Sequence, residues 1–120
     1  MVEFALSVTV FLTLILGTFD LARAYLAYTF VANAAREASR YGATHCCTTN
    51  WEQGARQAGL NLAIGIDGAA LVLTPTQTTM DGLTYITVSG TYPFHSLTPP
   101  VRVLLGDPIN MSVNTSALAG

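Results

Sequence analysis

The chain has 120 residues, of which 51% are hydrophobic and 10% are charged, with a net charge of −2. This composition excludes an intrinsically disordered chain, which combines low hydrophobicity with high charge. It also argues against a nucleic-acid-binding protein, because the sequence has no lysine and only five arginines to neutralise phosphates. A surface so poor in charge is expected to face lipid or other protein.

The chain opens with a strongly apolar segment. Residues 4–19 carry no charge and lie between Glu3 and Asp20. As a helix the segment would be roughly 24 Å long, slightly shorter than the ~30 Å hydrocarbon core of a bilayer, so we expect an uncleaved membrane span. The alternative is a secretory signal peptide, which would carry a basic region before the apolar run and a small-residue cleavage site after it.

The helical pattern continues beyond the apolar segment through an alanine-rich stretch. Gly42 follows at a position typical of a helix C′ residue, which predicts one helix over residues 3–41. Because 120 residues cannot cover so long a helix on all sides, we expect its N-terminal half to project. Spacings of three and four predict that one face consists of Leu21, Tyr25, Tyr28, Ala32, Ala35 and Ser39.

The sequence pattern of the remainder of the chain predicts a small structure of one helix and three strands. A second helix is expected over residues 51–63, after an N-cap at Thr49 or Asn50. Stretches rich in Thr, Val, Ile and Tyr then predict three strands. Their expected bounds are 71–79, 83–94 and 109–117.

Local residue patterns indicate how these strands are connected and arranged. Asp81-Gly82 is typical of a tight hairpin turn between the first two strands, and Pro75 favours an edge position for the first. Alternation in the second strand predicts that Ile86 and Val88 face inward. Residues 101–105 are expected to form a short apolar turn that packs on the sheet.

The predicted fold class is therefore α+β. A long N-terminal helix, residues 1–42, has an apolar projecting half at 1–20. Its distal half packs against a small α+β head, residues 43–120, with a short antiparallel sheet.

Three segments resemble the TadE-like pilins of the type IV pilin superfamily. They are VEFAL (Val2–Leu6), DLARAY (Asp20–Tyr25) and NAAREASRYGA (Asn33–Ala43), in that order and spacing. The resemblance implies a pilin-like fold and a subunit made as a prepilin, cut by a prepilin peptidase and incorporated by assembly machinery into a filament of many copies. The chain would reside in the inner or cytoplasmic membrane before assembly and in an extracellular filament afterwards.

Glu3 is the strongest candidate for a residue that acts in filament assembly. The resemblance implies that its carboxylate pairs with the N-terminal ammonium of an adjacent subunit, whereas the alternative is an acidic residue that complements the helix dipole. The apolar side chains expected to pack between subunits are Phe4, Leu6, Phe11, Leu12, Leu14, Ile15 and Phe19.

Asp20 and Arg23 are spaced for an ion pair where the apolar run ends. The default interpretation is an exposed pair on the helix surface, worth little to stability. The alternative is a pair that contacts neighbouring subunits in a packed filament.

Two further pairs of residues suggest covalent modification. Cys46 and Cys47 could form a vicinal disulfide or an intersubunit bond, or remain thiols, and we favour the vicinal disulfide. Asn110 and Asn114 each begin an N-glycosylation acceptor pattern, which is short and often unused.

No constellation in the sequence indicates catalysis, so we expect neither an enzyme nor a cofactor or metal site. The first hypothesis is a structural pilin subunit. The second is a minor pilin that primes or caps a filament made of another subunit. A single-span membrane protein that presents a small binding domain is a third hypothesis, from another class.

Overall fold

The computed structural model describes residues 1–46, 48–96, 99–106 and 108–119. The described part of the chain measures 71 × 27 × 17 Å. Its fold is α+β, as predicted, with a long apolar N-terminal helix and a small antiparallel sheet. In chain order its elements are α1 (Val2–His45), α2 (Trp51–Asn61), β1 (Val72–Met80), β2 (Leu83–Phe94), α3 (Pro99–Leu105) and β3 (Ile109–Ala119).

Helix α1 runs beyond the end predicted from the sequence. Gly42 does not terminate it; the residue is helical and buried, and the helix continues to His45. A Cβ atom on Gly42 would lie 2.7 Å from Cγ2 of Ile86 and 3.1 Å from Cζ3 of Trp51. Glycine is therefore needed here for the close approach of the sheet and α2, and not for a reversal of the chain.

The face of α1 that packs against the head differs from the predicted one. Ala35 and Ser39 are buried as expected, but Leu21 and Tyr25 are about 70% exposed. Small side chains line the buried face because larger ones would hold the sheet and α2 away from the helix. The buried residues of α1 are Asp20, Ala27, Val31, Ala34, Ala35, Ala38, Ser39 and Gly42.

Helix α2 packs closely on this small-residue face. A Cβ atom on Gly59 would lie 2.8 Å from the backbone oxygen of Ala34 and 3.2 Å from Cβ of Ala38. Ala55 on the same helix is completely buried. The two helices therefore meet almost backbone to backbone.

The three strands form an antiparallel sheet with β2 between β1 and β3. Asp81 and Gly82 both have positive φ, 53° and 79°, as a two-residue hairpin turn between β1 and β2 requires. Ile86 and Val88 are fully buried, so their predicted inward orientation is confirmed. Pro75 lies on the edge strand β1, as expected.

Strand β2 runs antiparallel to the head-facing half of α1. Ile86 lies against Gly42, near the end of the helix, and Gly90 lies against Val31. Phe94, the last residue of β2, reaches Arg23, where the guanidinium carbon is 5.4 Å from the centre of the ring. The C-terminal end of β2 is therefore the end of the head nearest the projecting half of α1.

Residues 99–105 form the short helix α3, and the predicted packing of this segment on the sheet is wrong for its last three residues. Val103, Leu104 and Leu105 are 85%, 82% and 69% exposed. The segment belongs to the connection between β2 and β3, whose paired ends Phe94 and Ile109 lie together. These three apolar side chains therefore do not belong to the core of the head.

Candidate assembly surface

The first half of α1 projects from the head and exposes apolar side chains on every side. Successive residues in a helix are rotated by about 100°, so neighbouring positions such as Leu14, Ile15 and Leu16 point in different directions. The predicted assembly residues are all exposed, from 44% for Ile15 to 74% for Phe4: Phe4, Leu6, Phe11, Leu12, Leu14, Ile15 and Phe19. The structure thus places the predicted contact residues on one continuous apolar segment, residues 2–19, which we call the apolar rod.

Hydroxyl groups within this apolar rod do not interrupt its apolar character. Ser7, Thr9, Thr13 and Thr18 each donate a hydrogen bond to the backbone oxygen four residues earlier, at 2.8–2.9 Å. Each hydroxyl proton is therefore satisfied without water. A helix whose polar groups are satisfied internally can enter lipid or a packed helical core.

The apolar rod has the length and composition of a membrane span. An 18-residue window of α1 has a mean hydropathy of 2.0, and none of that window is buried inside the chain. Residues 2–19 extend about 27 Å along the helix axis, close to the thickness of a bilayer core. The structure therefore supports membrane anchoring by this segment.

Glu3 lies in the first turn of α1 and is exposed. It is the only acidic residue before Asp20 in the sequence. The partial positive charge at a helix N-terminus favours a carboxylate at this position, which agrees with the local alternative for its role. Its pairing with a second subunit stays a prediction.

Asp20 and Arg23 form an ion pair, as predicted. The expectation that this pair is exposed on the helix surface is wrong for Asp20, which is buried. Oδ1 of Asp20 lies 3.4 Å from Nη1 of Arg23, and Asp20 is only 4% exposed. The guanidinium of Arg23 also lies over the ring of Phe94. Because the end of β2 reaches this turn of the helix, the pair joins the head to α1 at the point where the apolar rod ends.

A second ion pair on α1, between Glu37 and Arg40, is more exposed to water than the Asp20–Arg23 pair. Glu37 accepts two hydrogen bonds from Arg40, at 2.8 and 3.1 Å. This hydrogen bonding, together with the negative charge of Glu37, raises the pKa of Arg40 above its ordinary value. The Arg40 side chain is 76% exposed, so water screens the interaction.

Three of the predicted modification sites, Cys46, Asn110 and Asn114, lie on the described part of the head. Cys46 directly follows α1 and packs against the core, while Cys47 lies outside the described residues, so the vicinal disulfide stays a prediction. Asn110 and Asn114 are exposed on β3, and their glycosylation also stays a prediction.

Sequence reasoning missed an uncharged polar surface on the outer face of the sheet. Thr76, Thr87 and Ser116 lie in one row across the three strands. Oγ1 of Thr76 donates to the backbone oxygen of Thr87 at 3.1 Å, and Oγ1 of Thr87 lies 3.0 Å from Oγ of Ser116. The alternation of Thr and Ser along all three strands was the available signal.

Comparison with known proteins places the chain's similarity in α1. Residues 1–40 match the family model described as TadE-like protein. The matched segment contains both the apolar rod and most of the small-residue face that packs against the head. The resemblance to TadE-like proteins predicted from the sequence is therefore confirmed over this segment. Neither a curated protein nor a solved structure is significantly similar to the chain.

Proposed function

We propose that this TadE-like chain is a structural subunit of an extracellular type IV pilus-like filament. The observation that carries the proposal is the apolar rod, residues 2–19, which is exposed along its length while the same helix packs a folded head further on. The TadE-like match over residues 1–40 supports a pilus-related role. The role is structural and not catalytic.

The apolar rod must be covered in every state of the chain. Full burial of one large aliphatic or aromatic side chain is worth roughly 1.5–3 kcal/mol relative to water, and the rod exposes many such residues. Before assembly, lipid covers them; in the filament, the rods of neighbouring subunits do. In this proposal the subunit is held in the inner or cytoplasmic membrane first and belongs to a cell-surface polymer later.

The transfer from membrane to filament needs other components. Leaving lipid for a core of packed helices gains much less than leaving water, because lipid tails are already apolar. Extraction is therefore assigned to pilus assembly machinery, after a prepilin peptidase has processed the chain. Both partners follow from the family resemblance.

Glu3 would set the register of the subunits within the filament. A carboxylate among apolar helices is costly unless a cation compensates it, so one arrangement of neighbouring rods is favoured over shifted ones. The N-terminal ammonium of an adjacent subunit supplies that cation. The exposed position of Glu3 on the projecting rod supports this role.

The test compares Glu3→Ala with Glu52→Ala, which removes an acidic residue from the first turn of α2 in the head. Removing one partner of a buried ion pair costs roughly 3–5 kcal/mol, so shed filaments of Glu3→Ala should fall below about 1% of wild type. Glu52→Ala should form normal filaments. Filaments are counted by negative-stain microscopy, and membrane fractions are assayed for equal amounts of subunit.

Abundant filaments of Glu3→Ala would contradict the role of Glu3. Mass spectrometry of purified wild-type filaments then tests whether the chain is their main component. A trace amount would make it a minor pilin that primes or caps the polymer. A chain that stays in the membrane uncleaved, with no filaments, would indicate a single-span protein presenting a binding domain.

A further inference from the structure

Three consecutive apolar side chains of α3 are exposed outside the rod. Val103 and Leu104 are more exposed than Phe4, which is itself 74% exposed on the rod. With Leu105 they make up the exposed last turn of α3, which we call the apolar foot (Val103, Leu104 and Leu105). An exposed apolar cluster on a head rich in Thr and Ser is a candidate site of contact with lipid or protein.

The apolar foot lies at the end of the head from which the rod emerges. The connection that contains α3 leaves β2 at Phe94 and returns to β3 at Ile109, and these two residues are paired. Phe94 in turn lies under the guanidinium of Arg23. Arg23 is four residues beyond Phe19, the last residue of the uncharged run, or about 6 Å along the helix axis.

A hydrogen bond holds α3 at this end. Nε of Arg102 donates to the backbone oxygen of Ser96 at 2.7 Å, and Ser96 is 1% exposed. Arg102 directly precedes Val103 in the same helix. The apolar foot is therefore tied, through Arg102, to the segment that follows the end of β2.

We propose that the apolar foot inserts into the bilayer surface beside the rod, as a second lipid contact of the unassembled subunit. Lipid is the occupant because the foot and the rod lie at the same end of the head, where Phe94 pairs with Ile109 and contacts Arg23. Arg102 directly precedes the foot, and an arginine beside apolar side chains is typical of a membrane–water interface. Tyr25 on α1, 71% exposed, is an aromatic residue suited to the same depth.

As a consequence, the head is held at a fixed angle to the membrane surface. A single helix anchors a head but leaves it free to swing, whereas contact at the rod and at the foot holds it in one orientation on the membrane. This inference rests on the membrane-anchoring part of the proposed function.

The test uses the full chain in vesicles of brominated phosphatidylcholine, whose bromines quench tryptophan that lies in the acyl region. Native Trp51 packs beside Gly42, about 28 Å along α1 from Arg23, and supplies an unquenched baseline. Leu104→Trp adds a reporter in the foot. Leu118→Trp is the matched control, since Leu118 pairs with Tyr85 and lies about 30 Å further along the sheet from Ile109. Phe11→Trp reports on the rod.

We expect quenching and a blue shift of the added emission for Leu104→Trp and Phe11→Trp, and neither for Leu118→Trp. Quenching of Phe11→Trp without quenching of Leu104→Trp would overturn the foot and leave the membrane span standing. If Phe11→Trp is also unquenched, the membrane anchor itself is wrong. A blue shift of Leu104→Trp that appears only in assembled filaments would make the foot a contact between subunits and overturn the lipid assignment. Far-UV circular dichroism checks that each variant is folded.

Discussion

The two halves of α1 belong to one continuous helix but follow opposite rules of side-chain size. The rod, residues 2–19, exposes large aliphatic and aromatic side chains, whereas the half after it buries mostly alanine, serine and glycine. Large side chains give the rod a wide surface for partners outside the chain. Small ones let α2 and the sheet approach the helix axis closely, so the head completes its core within the chain.

This difference separates folding from assembly along a single element. Substitutions in the head-facing half should act on the stability of the head, because its contacts are made within the chain. Substitutions in the rod should act on insertion and assembly and leave the head unchanged. The same amino-acid replacement made in each half tests this separation directly.

The largest expected effect comes from Ala35→Leu. Ala35 is fully buried, and its Cβ is 3.7 Å from where a Cβ on Gly90 would lie, so three added carbon atoms must displace β2. We expect the free energy of unfolding of the head to fall by about 3 kcal/mol. Denaturation in detergent, followed through the fluorescence of Trp51 at the edge of the core, measures the change.

Ala5→Leu is the matched control for this substitution. Ala5 lies on the exposed rod, so the added side chain meets no packed neighbour of its own chain. The unfolding of the head should match that of the wild type. Equal destabilisation by the two substitutions would contradict the division of α1 into an assembly half and a folding half.

A smaller effect is expected from Gly59→Ala, which tests how closely the helices approach. The added Cβ would lie 2.8 Å from the backbone oxygen of Ala34, which cannot move aside as a flexible side chain can. We expect a loss of about 1–2 kcal/mol in the free energy of unfolding. Gly68→Ala is the control, since a Cβ there has no atom within 4 Å. Equal stability of the two variants would show that α2 can shift without cost.

The sheet could be predicted from local sequence signals. Alternation identified the inward direction of Ile86 and Val88, and Asp81-Gly82 identified the hairpin. These signals are local because side chains alternate along a strand and because a two-residue turn demands particular residues. The apolar rod was equally visible, since a run of uncharged residues needs no tertiary context to be recognised.

Other features depend on what packs against a residue, which the sequence does not state. Gly42 looks like a helix terminator until Trp51 and Ile86 are seen to occupy the space beside it. The segment that forms α3 looks like core because it is apolar, yet its last three side chains are exposed. Asp20 looks like a surface residue until the end of β2 is seen to reach the same turn. In each case the spatial neighbour is distant in sequence.

Asp20→Asn has the smallest expected effect and compares the two ion pairs of α1. Asp20 is 4% exposed, and its carboxylate pairs with Arg23, which also contacts the head through Phe94. An amide keeps the size of the side chain but removes the charge that Arg23 faces. We expect the head to lose roughly 1 kcal/mol of stability, the net contribution of a typical intramolecular hydrogen bond.

Glu37→Gln makes the same change in the other pair, where Arg40 is largely exposed. Water already solvates Arg40, so loss of its partner should leave the unfolding curve where it is. The geometry alone would suggest the reverse order, because the Glu37 pair is shorter at 2.8 Å than the Asp20 pair at 3.4 Å. If Glu37→Gln proves the more destabilising variant, distance outweighs burial, and the assignment of Asp20 as the join between head and rod is wrong.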